Sequence, residues 1–300
     1  MRVSGEWGVV SGGTLLLVLF GSGLGAQTLQ FSAHAMPALI RADPIPGGGA
    51  LTEFRIVHPF LAFDASTWGG RLVLRTSLNL EGLTMPNGEL SPGSWGEGYM
   101  DRRHPHTYVH ELMLSGLDLL GRLDGRAELS ASTGKGFVPF GSDDPMSRPI
   151  LRYPVNHHVA QVLERLMVAA EVRAGPVALE GATFNGDEPE KPSQWPRASR
   201  LGDSWSLRLT VWPVEGVEGQ VSRAKVASPE HRGGAGLTNW KWSTSLRLDR
   251  PVRGIPVYAL AEWGRTEEGP FVFSTRLIEA AGSPGRHRVY YRFERTDRPE

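Results

Sequence analysis

Ser204-Trp205-Ser206-Leu207-Arg208-Leu209-Thr210-Val211 alternates without a break, and Trp212 follows. In an extended chain successive side chains point to opposite faces. Trp205, Leu207, Leu209 and Val211 therefore share one face, and Ser204, Ser206, Arg208 and Thr210 share the other. The same two-faced pattern recurs along the chain. In 71–80, Leu72, Leu74, Leu78 and Leu80 oppose Arg71, Arg75, Ser77 and Asn79. In 240–249, Trp240, Trp242, Leu246 and Leu248 oppose Lys241, Ser243, Ser245, Arg247 and Asp249. In 288–294, Val289, Tyr291 and Phe293 oppose Arg288, Tyr290, Arg292 and Glu294.

Two architectures use such strands. A soluble sandwich turns the polar face to water and buries the apolar one. A membrane barrel turns the apolar face to lipid and the polar face to its lumen, with aromatic side chains near both interfaces. Several segments reach the roughly nine to eleven residues that a tilted membrane strand needs, longer than the typical soluble strand of about five or six. Trp205, Trp212, Trp240, Trp242, Trp263, Tyr291 and Phe293 fall at or near strand ends, as interfacial girdles would. The reading is all-β, an antiparallel up-and-down transmembrane barrel.

Composition agrees. With 37 glycines and 22 prolines in 300 residues, the chain can form many turns. Lys plus Arg and Asp plus Glu both number 32, so no net charge attracts nucleic acid. No cysteine is present, which removes disulfides, thiolate metal sites and a cysteine nucleophile.

The N-terminus begins with Arg2, runs through the apolar stretch Thr14-Leu15-Leu16-Leu17-Val18-Leu19-Phe20 and reaches small residues ending at Ala26. That order is a secretory signal peptide over 1–26. Residues 27–50 include Asp43-Pro44-Ile45-Pro46-Gly47-Gly48-Gly49 and read as a Gly/Pro-rich arm rather than a core element. The barrel domain is then 51–300. About twelve strands are expected, near 51–63, 70–80, 106–116, 123–132, 163–174, 176–185, 203–212, 217–227, 239–249, 256–265, 271–280 and 286–296. Tight turns alternate with long polar connections over 81–104, 133–158, 186–202 and 228–238, the pattern of short periplasmic turns and longer external loops. Residues 159–172 carry apolar side chains at helical spacing. The Gly-Pro turn that follows favours a strand there.

Charged residues recur on the polar faces. Arg71, Arg75, Glu180, Arg208, Lys241, Arg247 and Arg292 are the expected pore lining, where mixed charge would hold water and set ion selectivity. Histidines cluster twice. His104, His106 and His110 share a face if their stretch is extended, with Glu111 on the other, and His157-His158 follow later. Imidazoles suit zinc or copper, so these five are candidate metal ligands. An exposed polar loop is the plainer reading. No Gly-x-Ser-x-Gly elbow, His-Glu-x-x-His helix or phosphate loop is present. The chain therefore reads as a non-enzyme that needs no cofactor; the alternative is a metal-binding membrane protein that uses these loop histidines for zinc or copper, and a membrane-embedded hydrolase is weaker still.

The histidine tracts carry a resemblance. Asp101-Arg102-Arg103-His104-Pro105-His106 followed by Glu111, Arg148-Pro149 followed by His157-His158, Glu180-Gly181 followed by Gly186, Glu188 and Pro189, and Ser228-Pro229-Glu230 together resemble a group of uncharacterised, porin-like bacterial outer-membrane proteins. Gly136-Phe137-Val138-Pro139-Phe140-Gly141 is similar to the Pro-Phe-Gly turns of phosphate-selective porins. The resemblance implies an outer-membrane barrel in contact with lipid, passing small polar solutes or ions. It also implies an association with heavy-metal efflux, which draws the histidines toward metal. Barrels of this class end in an aromatic residue, whereas this chain ends Asp297-Arg298-Pro299-Glu300, which reads as an unfinished barrel.

Overall fold

The structure, a computed structural model, describes residues 28–42, 51–84, 89–92, 98–101, 107–120, 127–142 and 157–297. The signal peptide read over 1–26 lies outside the described residues.

Thirteen strands form one continuous antiparallel sheet in which each strand pairs with its sequence neighbours. The first is β1 (Thr28–Ala42), followed by β2 (Leu51–Thr67) and β3 (Leu72–Asn79). A short α1 (Glu81–Thr84) comes next, then a separate hairpin of β4 (Glu89–Pro92) and β5 (Gly98–Asp101). The main sheet resumes with β6 (Val109–Gly116) and β7 (Glu128–Phe137). After one helical turn, α2 (His157–Ala160), come β8 (Glu164–Ala174), β9 (Val177–Phe184) and β10 (Ser204–Val214). The sheet closes its run with β11 (Val217–Ala227), β12 (Thr238–Val252), β13 (Ile255–Glu268), β14 (Phe271–Gly282) and β15 (Val289–Thr296). Among the described residues β1 and β15 are not hydrogen-bonded to each other, so the sheet is open along these two edges.

All twelve strands expected from the sequence are present, with two corrections. The segment read as an N-terminal arm over 27–50 contributes β1, paired with β2 along its length. Its ladder slips between His34 and Met36, where β2 carries the one extra residue of a bulge between Val57 and Phe60. Strand β7 runs to Phe137, and the connection expected from residue 133 starts five residues later. Its end, Thr133-Gly134-Lys135-Gly136-Phe137, is glycine-rich because Met113 of β6 lies over it: a Cβ on Gly136 would stand 2.7 Å from Met113 Cγ. The segment of helical spacing over 159–172 is mainly strand, as expected, in β8. Only α2 is helical, and Val162 then lies in loop while Met167 lies in β8.

Hairpin turns set the register. Gly175-Pro176 and Gly269-Pro270 each link two strands, with φ of 56° at Gly175 and 55° at Gly269. A two-residue turn with positive φ first and negative φ second matches the twist of the strands it joins, and proline supplies the second value.

The two faces separate cleanly. On the outer face Leu179, Leu207, Leu209, Val221, Leu246 and Ile278 are each between 42% and 59% exposed. They lie on five strands, β9 to β12 and β14, and make a broad apolar surface, too large for a monomer in water. The inner face carries Ser206, Thr210, Gln220, Ser222, Ser243 and Glu262, all buried. Trp205 and Trp240 meet edge-on at 6.1 Å on the outer face at the long-loop end. Trp212 departs from the expected girdle. It shares the parity of Arg208 and Thr210, points inward and donates its Nε1–H to Glu218 at 2.9 Å.

Candidate functional site

The described limbs of the β7–β8 connection, 138–142 and 157–163, lie over the inner face. Leaving β7, the chain places the Gly141 N–H 2.9 Å from Ser222 Oγ on β11, and the Ser142 hydroxyl donates to Glu262 on β13. Returning, the Val159 carbonyl accepts from Thr266 Oγ1 on β13 at 3.1 Å. Six strand spacings separate β7 from β13, roughly 29 Å of sheet at about 4.8 Å each. Both described limbs make these contacts from inside the curled sheet.

Apolar burial and a tight turn hold it there. Val138, Phe140 and Val162 pack with Met113, Met167, Ala182, Phe184, Ala224 and Val226 in one cluster. Phe140 is only 2% exposed, and sequestering such a side chain contributes about 2–3 kcal/mol. Gly141 has φ of 74°, and a Cβ there would sit 2.3 Å from the Ala160 carbonyl oxygen. The outgoing and returning limbs of the loop therefore touch at this glycine. Gln161 Nε2 reaches the Ser142 carbonyl at 3.5 Å across the same junction.

Beside the loop remains a cavity of about 720 Å³. Arg75, Glu111, Glu171, Glu180 and Arg208 supply its charge, Ser115, Ser130 and Ser132 its hydroxyls, and Phe140, Val162 and Met167 an apolar side. Charged wall residues pair directly across the ladder. Arg208 stands opposite Glu180 and bonds both its oxygens, at 2.6 and 2.7 Å. Arg247 stands opposite Glu218 at 2.8 Å, Arg75 opposite Asp64 at 3.1 Å, and Arg292 opposite Glu279 in contact. Side chains directly opposite on one face are the nearest cross-strand neighbours, so opposite charges there stabilise the ladder. Glu171 breaks the pattern, standing opposite Glu180, a carboxylate facing a carboxylate. Arg208 holds Glu180 from the other side.

The seven expected pore-lining residues thus divide. Arg75, Glu180 and Arg208 line the cavity. Lys241 lies deeper under the returning limb of the loop, 3.2 Å from Thr266 Oγ1. Arg247 and Arg292 lie on the inner face beyond the cavity, each in its ion pair. Arg71 is not on a strand face. Trp68, Gly69 and Gly70 all have positive φ, the turn extends through Arg71, and β3 starts at Leu72. Arg71 instead meets Asp118 at 3.5 Å in the neighbouring turn.

Of the candidate metal ligands, His104 and His106 lie outside the described residues. His157 and His158 open α2. His110 sits where the β3–β6 register slips between Ser77 and Leu78, packs edge-on against Phe60 and Phe137, and pairs through Nδ1 with Glu164. Among the described residues no three His, Asp or Glu side chains group as a metal site.

Sequence reasoning missed the apolar side of the inner face. Met113, Met167, Ala182, Phe184, Ala224 and Val226 share parity with polar residues on their own strands, and all belong to the cluster. The signal was present as failed alternation near the loop-side ends of β8 and β9. The Gly-x-Glu-Pro and Ser-Pro-Glu tracts turn out to be two halves of one contact. Glu188 N–H donates to the Pro229 carbonyl at 3.1 Å, and Glu188 accepts from Arg165 at 2.5 Å. Around them, Arg200 bonds Asp203 at 2.7 Å and reaches the carbonyls of Ala227 and Ser228, tying the β9–β10 loop to the β11–β12 loop.

No protein-family model and no curated protein sequence matches the chain. Among solved structures it is similar to an anion-selective porin from Comamonas acidovorans, at a TM-score of 0.51 and 10% identity, over 90% of this chain and 79% of that one. A BenF-like porin from Pseudomonas fluorescens matches at a TM-score of 0.47 and 11% identity, over 91% of this chain and 68% of that one. The first likeness, with the up-and-down antiparallel order, defines the fold as that of a porin-type β-barrel.

Proposed function

We propose that this chain is an outer-membrane channel that passes small polar solutes or ions through a constriction made by the β7–β8 loop. One observation carries the reading: the loop is fastened across the inner face and leaves a charged cavity of about 720 Å³ beside it. The broad apolar outer surface supports insertion in lipid, since a membrane barrel turns an apolar band outward to the acyl chains. The description of the Comamonas protein as an anion-selective porin supports a channel rather than an enzyme. Paired charges on the wall keep the passage wet, and the narrow cavity sets which solutes enter.

The test is electrical. Outer-membrane fractions run with and without boiling should show a heat-shifted band, and the purified protein should give discrete conductance steps in planar bilayers. Folded, bilayer-incorporated protein that passes no current would overturn the channel reading.

A further inference from the structure

The outer face near the long-loop end carries cations where a membrane wall would carry apolar or neutral groups. Arg223 on β11 is exposed and lies between two indoles, 5.3 Å from the Trp240 ring and 5.2 Å from the Trp242 ring. Trp242 is the residue directly opposite Arg223, and Arg265 of β13 is directly opposite Trp242 on its other side. Lys225 stands opposite Trp240. One strand further, exposed Arg276 of β14 faces exposed Arg295 of β15. Among the described residues Arg265 has a carboxylate partner, Glu267 at 2.6 Å, while Arg223, Lys225, Arg276 and Arg295 have none. The inner face, by contrast, pairs its arginines across the ladder.

Leu207 stands directly opposite Arg223 on the β10 side, and from there toward the short turns the outer face continues as Leu209, Val221 and Leu246. The basic and indole residues therefore border the apolar band at one interface. Charges set at that level meet lipid headgroups. Tryptophan favours this depth because its ring is apolar and its N–H is wet. An arginine held against two indole faces keeps its planar fork turned outward, in the form that grips phosphate oxygens.

We propose that this patch, Arg223, Lys225 and Arg276 with Trp240 and Trp242, is a binding site for the phosphate groups of a phosphorylated lipid in the leaflet at the long-loop side. This rests on the reading of the chain as a membrane barrel. Charge complementarity selects the occupant: unpaired cations beside an acyl-compatible surface match a lipid that carries phosphate at its headgroup. A free anion would gain nothing from the adjoining apolar band.

The experiment uses the full chain reconstituted in phosphatidylcholine vesicles with and without diphosphoryl lipid A, following quenching of Trp240 and Trp242 fluorescence and lipid adducts by native mass spectrometry. Expected is saturable association with lipid A that equal concentrations of inorganic phosphate do not displace. In R223Q/R276Q it should weaken roughly thirtyfold, two surface cations being removed, while conductance in phosphatidylcholine stays unchanged. Equal lipid A binding by wild type and variant overturns the site, as does displacement by inorganic phosphate. Failure of the wild type to insert in phosphatidylcholine overturns the barrel reading and the site with it. Insertion without any preference for lipid A overturns the site alone.

Discussion

Arg208 grips both oxygens of Glu180 and also reaches the Gly141 carbonyl at 3.2 Å. One guanidinium thus joins the barrel wall to the loop that crosses it. The wall beneath the constriction and the constriction itself share a single cation.

Removing that cation should loosen the loop and strand a carboxylate. Arg208→Ala leaves Glu180 facing Glu171 with no counter-charge, at a cost of about 2–4 kcal/mol. Chemical or thermal unfolding in detergent should register the loss, and single-channel records should become noisier. Conductance noise like that of the wild type would separate the loop from this pair.

Charge can be altered without deleting contact. Glu180→Gln keeps a hydrogen-bond acceptor for Arg208 but adds one net positive charge to the cavity wall. The reversal potential in a salt gradient should move toward anions, most clearly at low ionic strength where screening is weak. An unchanged reversal potential would place the permeation path elsewhere.

Phe140→Ala empties the apolar anchor of the loop, and truncating a buried phenylalanine costs about 3–5 kcal/mol. The strands do not depend on Phe140, so far-ultraviolet circular dichroism should stay β-rich while conductance rises. Gly141→Ala should give the same phenotype by another route, since its Cβ meets the Ala160 carbonyl at 2.3 Å with φ at 74°. If either variant conducts like the wild type, the loop is not the narrow point.

The two faces should respond oppositely to one substitution. Leu209→Arg puts a cation on the apolar outer band, with a penalty of about 2–4 kcal/mol if it lies near the bilayer midplane. Gln220→Arg places the same group on the inner face beside Glu218, which already bonds Gln220 at 3.0 Å. The first should fold poorly in vesicles and the second should fold normally. Equal behaviour would contradict the assignment of faces.

Much of this was legible in the chain. Alternation marked β10 and β12, and the Gly175-Pro176 turn marked the end of β8. Strand β1 escaped because Leu29, Phe31 and Ala33 alternate with Gln30, Ser32 and His34 only that far, after which Ala35-Met36-Pro37-Ala38-Leu39-Ile40 is apolar at both parities. The site was half legible. Arg75, Glu180 and Arg208 stood out as charges on a polar face. The loop that makes them a constriction did not, because Val138, Phe140 and Val162 bury themselves against residues from four strands distant in sequence. Periodicity reports which face a residue occupies, and says nothing about what folds over that face.

The way the β7–β8 loop is fastened has a thermal consequence. Its anchor is mainly apolar, and hydrophobic association weakens on cooling. Its ion pair and charged hydrogen bonds carry a dehydration cost that falls on warming. Both fastenings tighten in the same direction, so the aperture should be steadiest in a warm cell and begin to flicker in the cold.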